Sequence, residues 1–369
     1  MSIRNIIYYH QSLPLYHFRF NPFASGGKSL SFYSFVYPLY VKWLMNKQTY
    51  VAVQTETIRE LFAKKYCFPK DRIGVYFPKV ERIDADSVKS YDYEAGIINF
   101  FYPSMGASYK RHLTIVYAFE RILSADETLA KRMRIHFTIQ TDDTPQLYHY
   151  ICKHQLEPYF VFHGNVPYQQ VLSMMKSSHG LLFPSVVETL GLPLLEAASL
   201  GVPVIANDMG YAREVLSGYE GATLVKVCDD GQWAQAMMVY GREKKQFLPK
   251  DFVDDGSWHR LIQKMTEGAD AAHPSVVCVL ATASAKRGAL AIYNQFIQAL
   301  GADHTCSEWH VFIDVDMPMP EISHVHYHIC HTKGFGRVWF DLKGFKQETK
   351  RLGITPDVIF SLQNTGVLY

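Results

Sequence analysis

The stretch Ser185-Val-Val-Glu188-Thr-Leu-Gly191-Leu-Pro193-Leu-Leu-Glu196-Ala-Ala-Ser-Leu-Gly201-Val-Pro203-Val-Ile205 decides how this chain is read. A buried apolar run, 180–184, leads into it. A short turn then carries Glu188 and Gly191. A helix over 193–200 follows, with Pro193 at its first position, where the missing N–H costs nothing. The N–H groups at a helix start have no intrahelical acceptor and point into the turn, which makes a site for phosphate oxygens. Gly191 lets the backbone approach closely. Glu188 before the helix and Glu196 about one turn into it can face one crevice at the carboxyl end of a parallel sheet. An anion between two hydroxyl-binding carboxylates suits a nucleotide-diphosphate sugar.

Working outward, apolar runs at 97–102, 135–139, 159–163, 180–184, 202–206 and 222–227 alternate with helical patterns at 112–123, 145–154, 169–177 and 193–200. Runs apolar nearly throughout fit strands buried on both faces, and strict alternation with helices predicts a doubly wound α/β domain. Helices at 231–240 and 257–266 close it, giving a domain over 97–268. Polar residues at 81–94 and the small-residue stretch 267–275 read as linkers.

Each end of the chain is incomplete. The region 276–369 offers strands at 276–281, 309–315, 324–329 and 357–362, with helices at 289–300 and 340–353. The region 1–80 offers strands at 6–9 and 50–54, with helices at 32–45 and 57–65. Neither set closes a sheet. Together they make one domain of ordinary size, so the expectation is a second Rossmann-like domain assembled from both chain ends. The strand ending at Leu362 would lie beside the strand starting at Ile6. Two fragments of similar proteins joined back to front would give the same pattern.

Composition narrows the class. The chain has 369 residues, 48% hydrophobic and 20% charged, which excludes disorder and collagen-like repeats. The 37 Lys+Arg against 35 Asp+Glu leave +2, too little to indicate a nucleic-acid binder. Six cysteines, at 67, 152, 228, 278, 306 and 330, form no CxxC pair, so neither a zinc site nor a disulfide framework is expected. A reducing cytoplasm fits best. No apolar h-region marks the start, and no run reaches the roughly 18–20 residues of a membrane span.

The spacing Glu188-x7-Glu196, inside LFPSVVETLGLPLLEAASLGVPVIAND, resembles that of retaining glycosyltransferases of family 4 ("group 1") with the two-Rossmann GT-B fold. The likeness covers about 97–268, includes His163-Gly164-Asn165-Val166, and continues less specifically into both ends. It implies two α/β Rossmann-like domains facing a cleft. It implies transfer of a sugar from a nucleotide-diphosphate donor to an acceptor hydroxyl with retention, in bacterial polysaccharide or lipopolysaccharide assembly. Glu188 matches the glutamate on the donor sugar, and Glu196 the one on ribose. Thr189, Leu190, Gly191 and Leu192 match the turn offering N–H groups to the diphosphate. Lys110 resembles the phosphate lysine. Arg111 stands in for an arginine the family carries earlier, where this chain has Tyr102-Pro103-Ser104. Asn165 lies in the turn near the base pocket. His10 resembles the strand-end histidine facing the donor sugar, and Gly288 the family's Gly-rich loop. The family runs its domains in another order, so the chain looks circularly permuted.

The resemblance calls for no cofactor beyond the donor and no metal, since N–H groups and a lysine can supply the charge. Asp314-Val315-Asp316 carries a D-x-D text, and His324, His326, His328 and His331 alternate along one strand. Both read better as solvated positions than as metal ligands. The acceptor is a glycan or a lipid-linked glycan. The aromatic stretch 32–45 is either a membrane-surface contact, placing the protein at the inner face of the membrane, or a core helix kinked at Pro38. Oligomeric state is unassigned. Two rival functions stand beside the transferase: a nucleotide-sugar epimerase, and a non-catalytic nucleotide-sugar-binding chimera.

Overall fold

The computed structural model describes residues 3–17, 30–80, 83–252, 256–269, 273–284, 287–303, 307–332 and 335–369. Among them the strands, numbered in chain order, are β1 Arg4–Tyr9, β2 Thr49–Val53, β3 Ile73–Val75, β4 Ile98–Tyr102, β5 Met133–Phe137, β6 Phe160–Phe162, β7 Gly180–Phe183, β8 Val204–Asn207, β9 Ala222–Val225, β10 Ser275–Leu280, β11 Ser307–Ile313, β12 Val325–Ile329 and β13 Val358–Ser361. They form two parallel sheets in two compact units.

The unit over 80–253 holds a six-stranded sheet in the order β6-β5-β4-β7-β8-β9. Every residue of β4, β7 and β8 is buried, as expected of strands covered by helices on both faces. The chain lays strands outward from β4 to β6, then restarts at β7 on the other side. The order therefore reverses between β4 and β7, the place where open α/β sheets bind ligands beyond their strand ends. The stretch expected to be a linker packs on this unit: Lys176 donates to the carbonyls of Ala85 and Val88 at 2.7 and 2.8 Å.

The other unit comprises residues 1–17, 27–79 and 254–369, with a seven-stranded sheet in the order β12-β11-β10-β13-β1-β2-β3. Strands from both ends of the chain are neighbours in it. Arg4 stands opposite Val358 and Ile7 opposite Ser361. Here the order reverses between β10 and β13. The helix Ser257–Met265, expected to close the 97–268 domain, belongs to this unit instead. Its Trp258, Leu261, Ile262 and Met265 are buried with Ile6 and Tyr8, and Trp258 stacks on Tyr8 with ring centroids 5.1 Å apart. Burial of that apolar face outweighs proximity in sequence.

Several elements depart from the sequence reading. The stretch 32–45 is a π-helical turn, Phe32–Val36, followed by the helix Tyr37–Leu44 with Pro38 in its first turn. Tyr37, Pro38, Val41 and Leu44 face the core, while Phe32, Phe35, Val36, Leu39 and Trp43 are exposed. The core reading thus explains one face and leaves the other. The helix expected at 340–353 is a π-helical turn, Phe340–Gly344, and the helix Phe345–Leu352, preceded by a further helix, Phe335–Trp339. Among the described residues no helix is long and apolar enough to cross a membrane.

Candidate active site

Two loops meet at the β4/β7 reversal. One runs from Pro103 to Arg111 and enters the helix His112–Ala125; the other runs from Pro184 to Gly191 and enters the helix Leu192–Ser199. Backbone bonds lock them together. The Val186 N–H donates to the Tyr109 carbonyl at 3.0 Å, and the buried Tyr102 hydroxyl donates to the Lys110 carbonyl at 2.8 Å. Lys110 is thereby aimed at the second loop, where its ammonium donates to Glu188 Oε1 across 78 positions of sequence. The pair is mostly withdrawn from water, at 13% and 16% exposure. The ammonium also lies 5.7 and 5.8 Å from the ring centroids of Tyr109 and Phe183. In such surroundings the two charges are weakly screened from each other.

Beside the pair, Gly191 has φ +73°, and the helix begins at Leu192. Pro193 is therefore the second helical residue, not the first as expected. A Cβ on Gly191 would stand 3.2 Å from Leu194 Cδ1, in a backbone region L residues avoid. No side chain caps this helix start. Leu190 is buried and anchors the turn, Thr189 is half-buried, and Leu192 is exposed. Burial pushes the Glu196 carboxyl up to about 7, and a hydrogen bond from Tyr168 pulls it partly back.

Further side chains support the loop that the sequence reading missed. The Tyr211 hydroxyl donates to the Ser185 carbonyl at 2.7 Å. The buried Asn207 amide donates to the Pro184 carbonyl and accepts from Trp233 Nε1. A polar residue ending a buried strand, as Asn207 does in β8, was the available signal. His112 bonds Ser104 at 2.8 Å, and burial followed by the Lys110 charge pushes its imidazole down to about 3.

Not every expected residue joins this group. Arg111 has a left-handed backbone, φ 57°, and its guanidinium lies 2.5 Å from Cys228 Sγ. Asn165 is exposed in the turn after β6, held by Gly164, whose N–H donates to the Ile139 carbonyl at 3.1 Å.

The remaining two candidates belong to the other unit. His10 follows β1, and its N–H donates to Asn364 Oδ1, just past β13; the Asn364 amide nitrogen lies 3.3 Å from His10 Nε2. Asn364 is itself left-handed, φ 64°. Next to it, buried Gln363 accepts from the Thr282 hydroxyl at 2.9 Å and donates to Asp341 at 3.2 Å, while Arg337 donates to the Gln363 carbonyl at 3.0 Å. Asp341 also accepts from Tyr40 at 2.8 Å. Burial raises its carboxyl to about 6, and burial, then the Arg337 charge, lowers the His10 imidazole to about 4. Gly288 lies in the helix Arg287–Gly301. Among the described residues no group of His, Cys, Asp and Glu is arranged to hold a metal.

The Salmonella typhimurium O-antigen chain mannosyltransferase RfbU is 23% identical over 209 residues, and the match spans 55% of each chain, so this chain aligns with about half the length of that relative. Among solved structures, Anabaena Alr3699/HepE, in complex with UDP, superposes with TM-score 0.50 at 13% identity over 81% of this chain and 72% of its own. WaaG, a glycosyltransferase involved in lipopolysaccharide biosynthesis, gives 0.50 at 14% over 71% and 75%, and TarM 0.51 at 14% over 70% and 50%. These likenesses fix the GT-B type of fold. Residues 100–245, which carry Lys110, Glu188, Gly191 and Glu196, match the family "Glycosyl transferases group 1".

Proposed function

We propose that the chain is a retaining, family 4 glycosyltransferase that moves a sugar from a nucleotide-diphosphate donor to a hydroxyl of a glycan or lipid-linked acceptor, in bacterial polysaccharide or lipopolysaccharide assembly at the cytoplasmic face of a membrane. The observation that carries the reading is the Lys110–Glu188 pair beside the uncapped helix start at Gly191. The helix N–H groups and Lys110 would hold the diphosphate and neutralise the charge that builds on it as it leaves. Glu188 would contact the donor sugar and hold Lys110 in place. Glu196 would accept from ribose hydroxyls. His10 is proposed as the histidine on the donor sugar. With charge supplied this way the reaction needs no metal ion. Retention would follow from departure and attack on the same face in one ion-pair-like step.

We also infer that the end-assembled unit carries its halves in exchanged order relative to the family. The pairing of β13 with β1 supports that reading.

UDP is present in the HepE structure and RfbU is a mannosyltransferase, so uridine-diphosphate sugars and mannosyl nucleotides are the first donors to try. The test is turnover of such a panel with glycan acceptors, with product anomers read by NMR. Acceptor-dependent transfer with retained configuration, lost in Glu188→Gln, is expected. Conversion of the donor sugar without acceptor would give the reading to an epimerase. Donor binding with no turnover on any acceptor would give it to a non-catalytic binder.

A further inference from the structure

A row of three polar side chains crosses the six-stranded sheet to the turn after β6. Asn99 on β4 and His136 on β5 are buried, and His163, just past β6, is half-buried. Asn99 Nδ2 lies 3.0 Å from the Ile97 carbonyl, Asn99 Oδ1 2.8 Å from His136 Nε2, and His136 Nδ1 2.9 Å from His163 Nε2. The two imidazoles stack with centroids 5.2 Å apart, and Tyr93 covers His136 at 4.8 Å. None of the three has a part in the reaction as proposed above.

The protons in this row are fixed from one end. A carbonyl only accepts, so the Asn99 atom on the Ile97 carbonyl is the amide nitrogen, and Oδ1 faces His136. Oδ1 also only accepts, so His136 Nε2 carries a proton and donates it. Burial, then the His163 and Arg134 side chains, pushes the His136 imidazole down to about 3, so the ring is neutral and its Nδ1 holds a lone pair. That lone pair calls for a donor, which places a proton on His163 Nε2. Burial lowers the His163 imidazole too. A neutral ring protonated on Nε2 keeps its lone pair on Nδ1, and among the described residues that nitrogen has no partner.

The turn 163–167 shows what could meet this acceptor. It enters the helix Tyr168–Ser177, whose first residue hydrogen-bonds Glu196. The turn therefore ends at the carboxylate assigned to ribose, and a nucleobase is one glycosidic bond from ribose.

We propose that His163 reads the donor's base, its Nδ1 accepting from a ring N–H, and that His136 and Asn99 are positioning residues that hold it in the accepting tautomer. Uracil and guanine carry such an N–H. Cytosine and adenine present an unprotonated ring nitrogen in that place, setting lone pair against lone pair. The donor is then a uridine- or guanosine-diphosphate sugar. This assignment rests on Glu196 as the ribose carboxylate.

Two measurements on the full chain test it. The first is the tautomer of His163 by long-range proton–nitrogen NMR at neutral pH without ligand, its signals being those absent from His163→Leu. A neutral ring protonated on Nε2 is expected. In His136→Phe, which keeps a ring in the stack but no acceptor, both tautomers should appear. The second is calorimetric titration with UDP, GDP, CDP and ADP. UDP, GDP or both should bind about tenfold or more tighter than CDP and ADP. The gap should close in His163→Leu and narrow in His136→Phe. The tighter of UDP and GDP names the base. A His163 protonated on Nδ1, or on both nitrogens, would overturn the proposal, because no acceptor would remain. So would equal binding of all four nucleotides, tighter binding of CDP or ADP, or a preference that survives His163→Leu. Those results would leave the sugar-transfer reading standing. Failure of all four to bind would sink the nucleotide site itself, and this assignment with it.

Discussion

The two sheets reverse strand order in the same way, yet the crevices they create are furnished differently. At β4/β7 the loops deliver Lys110, Glu188 and Glu196, all ionisable, next to an uncapped helix start. At β10/β13 and the adjoining end of β1 they deliver Thr282, Gln363, Asn364 and His10, held by amide and hydroxyl bonds, with Asp341 behind them. Topology sets where a crevice forms; the residues after each strand set what it can bind. A charged crevice fits a diphosphate, and one lined by amides and an imidazole fits hydroxyl groups.

The largest effect that could break this contrast is on turnover. Glu188→Gln or Lys110→Met should lower kcat about a thousandfold with any active donor, and the double variant should be no worse than either alone, since the two act as one unit. Steady-state kinetics on the three variants decides it. Additive losses would mean that Lys110 and Glu188 act separately.

Stability should separate the crevices next. Lys110→Met leaves Glu188 as a mostly buried carboxylate without its cation and should cost about 3 kcal/mol in urea unfolding, while Lys110→Met/Glu188→Gln should recover much of that. If the single and double variants unfold alike, the pair is effectively a surface bridge worth little.

Titration gives a third, smaller handle. Glu196 is raised to about 7 by burial, so its carboxylate, the form able to accept from ribose hydroxyls, grows in as pH rises through about 7, and donor affinity should rise with it. The folding term has the opposite sign. Between its unfolded value and about 7 the folded state binds the extra proton, so this group's contribution to stability falls as pH rises, and Glu196→Gln should remove that slope. His10, lowered to about 4, should show its imidazole titration by NMR centred near that pH and not near 6.5. A His10 that titrates near its ordinary 6.5 would make the second crevice a cationic one at mildly acid pH.

How far these features could be read from the sequence depended on whether the contacts are local. Glu188, Gly191 and Glu196 fall within one strand–turn–helix, so spacing alone brings them together. The Lys110–Glu188 contact needs the sheet order, yet each partner sits just after a legible strand. The cluster of Gln363, Asn364, Asp341 and His10 spans the chain from one end to the other, and no spacing rule collects residues 354 positions apart. The three-residue β3 and the π-helical turns at Phe32–Val36 and Phe340–Gly344 were illegible for another reason. They are shorter than the runs over which periodicity identifies strands and helices, and packing, not propensity, sets them. The helix Ser257–Met265 was legible as a helix, but which core it would join was not.

The smallest effect sharpens the comparison at a single backbone position. Each crevice has a left-handed residue after the strand that restarts the sheet: Gly191 at φ +73° after β7 and Asn364 at φ 64° after β13. Gly191 is there for its missing Cβ, so Gly191→Ala should cost about 1 kcal/mol through the backbone, and more if Leu194 cannot move from its 3.2 Å approach. Asn364 tolerates the same region while its side chain holds the His10 backbone. Asn364→Gly should therefore relieve the backbone but release His10, leaving a net change within about 0.5 kcal/mol in urea unfolding, with the loss appearing in turnover instead. If Asn364→Gly is as active as the wild type, the amide serves only the turn, and the second crevice owes its shape to Gln363 and Asp341 alone.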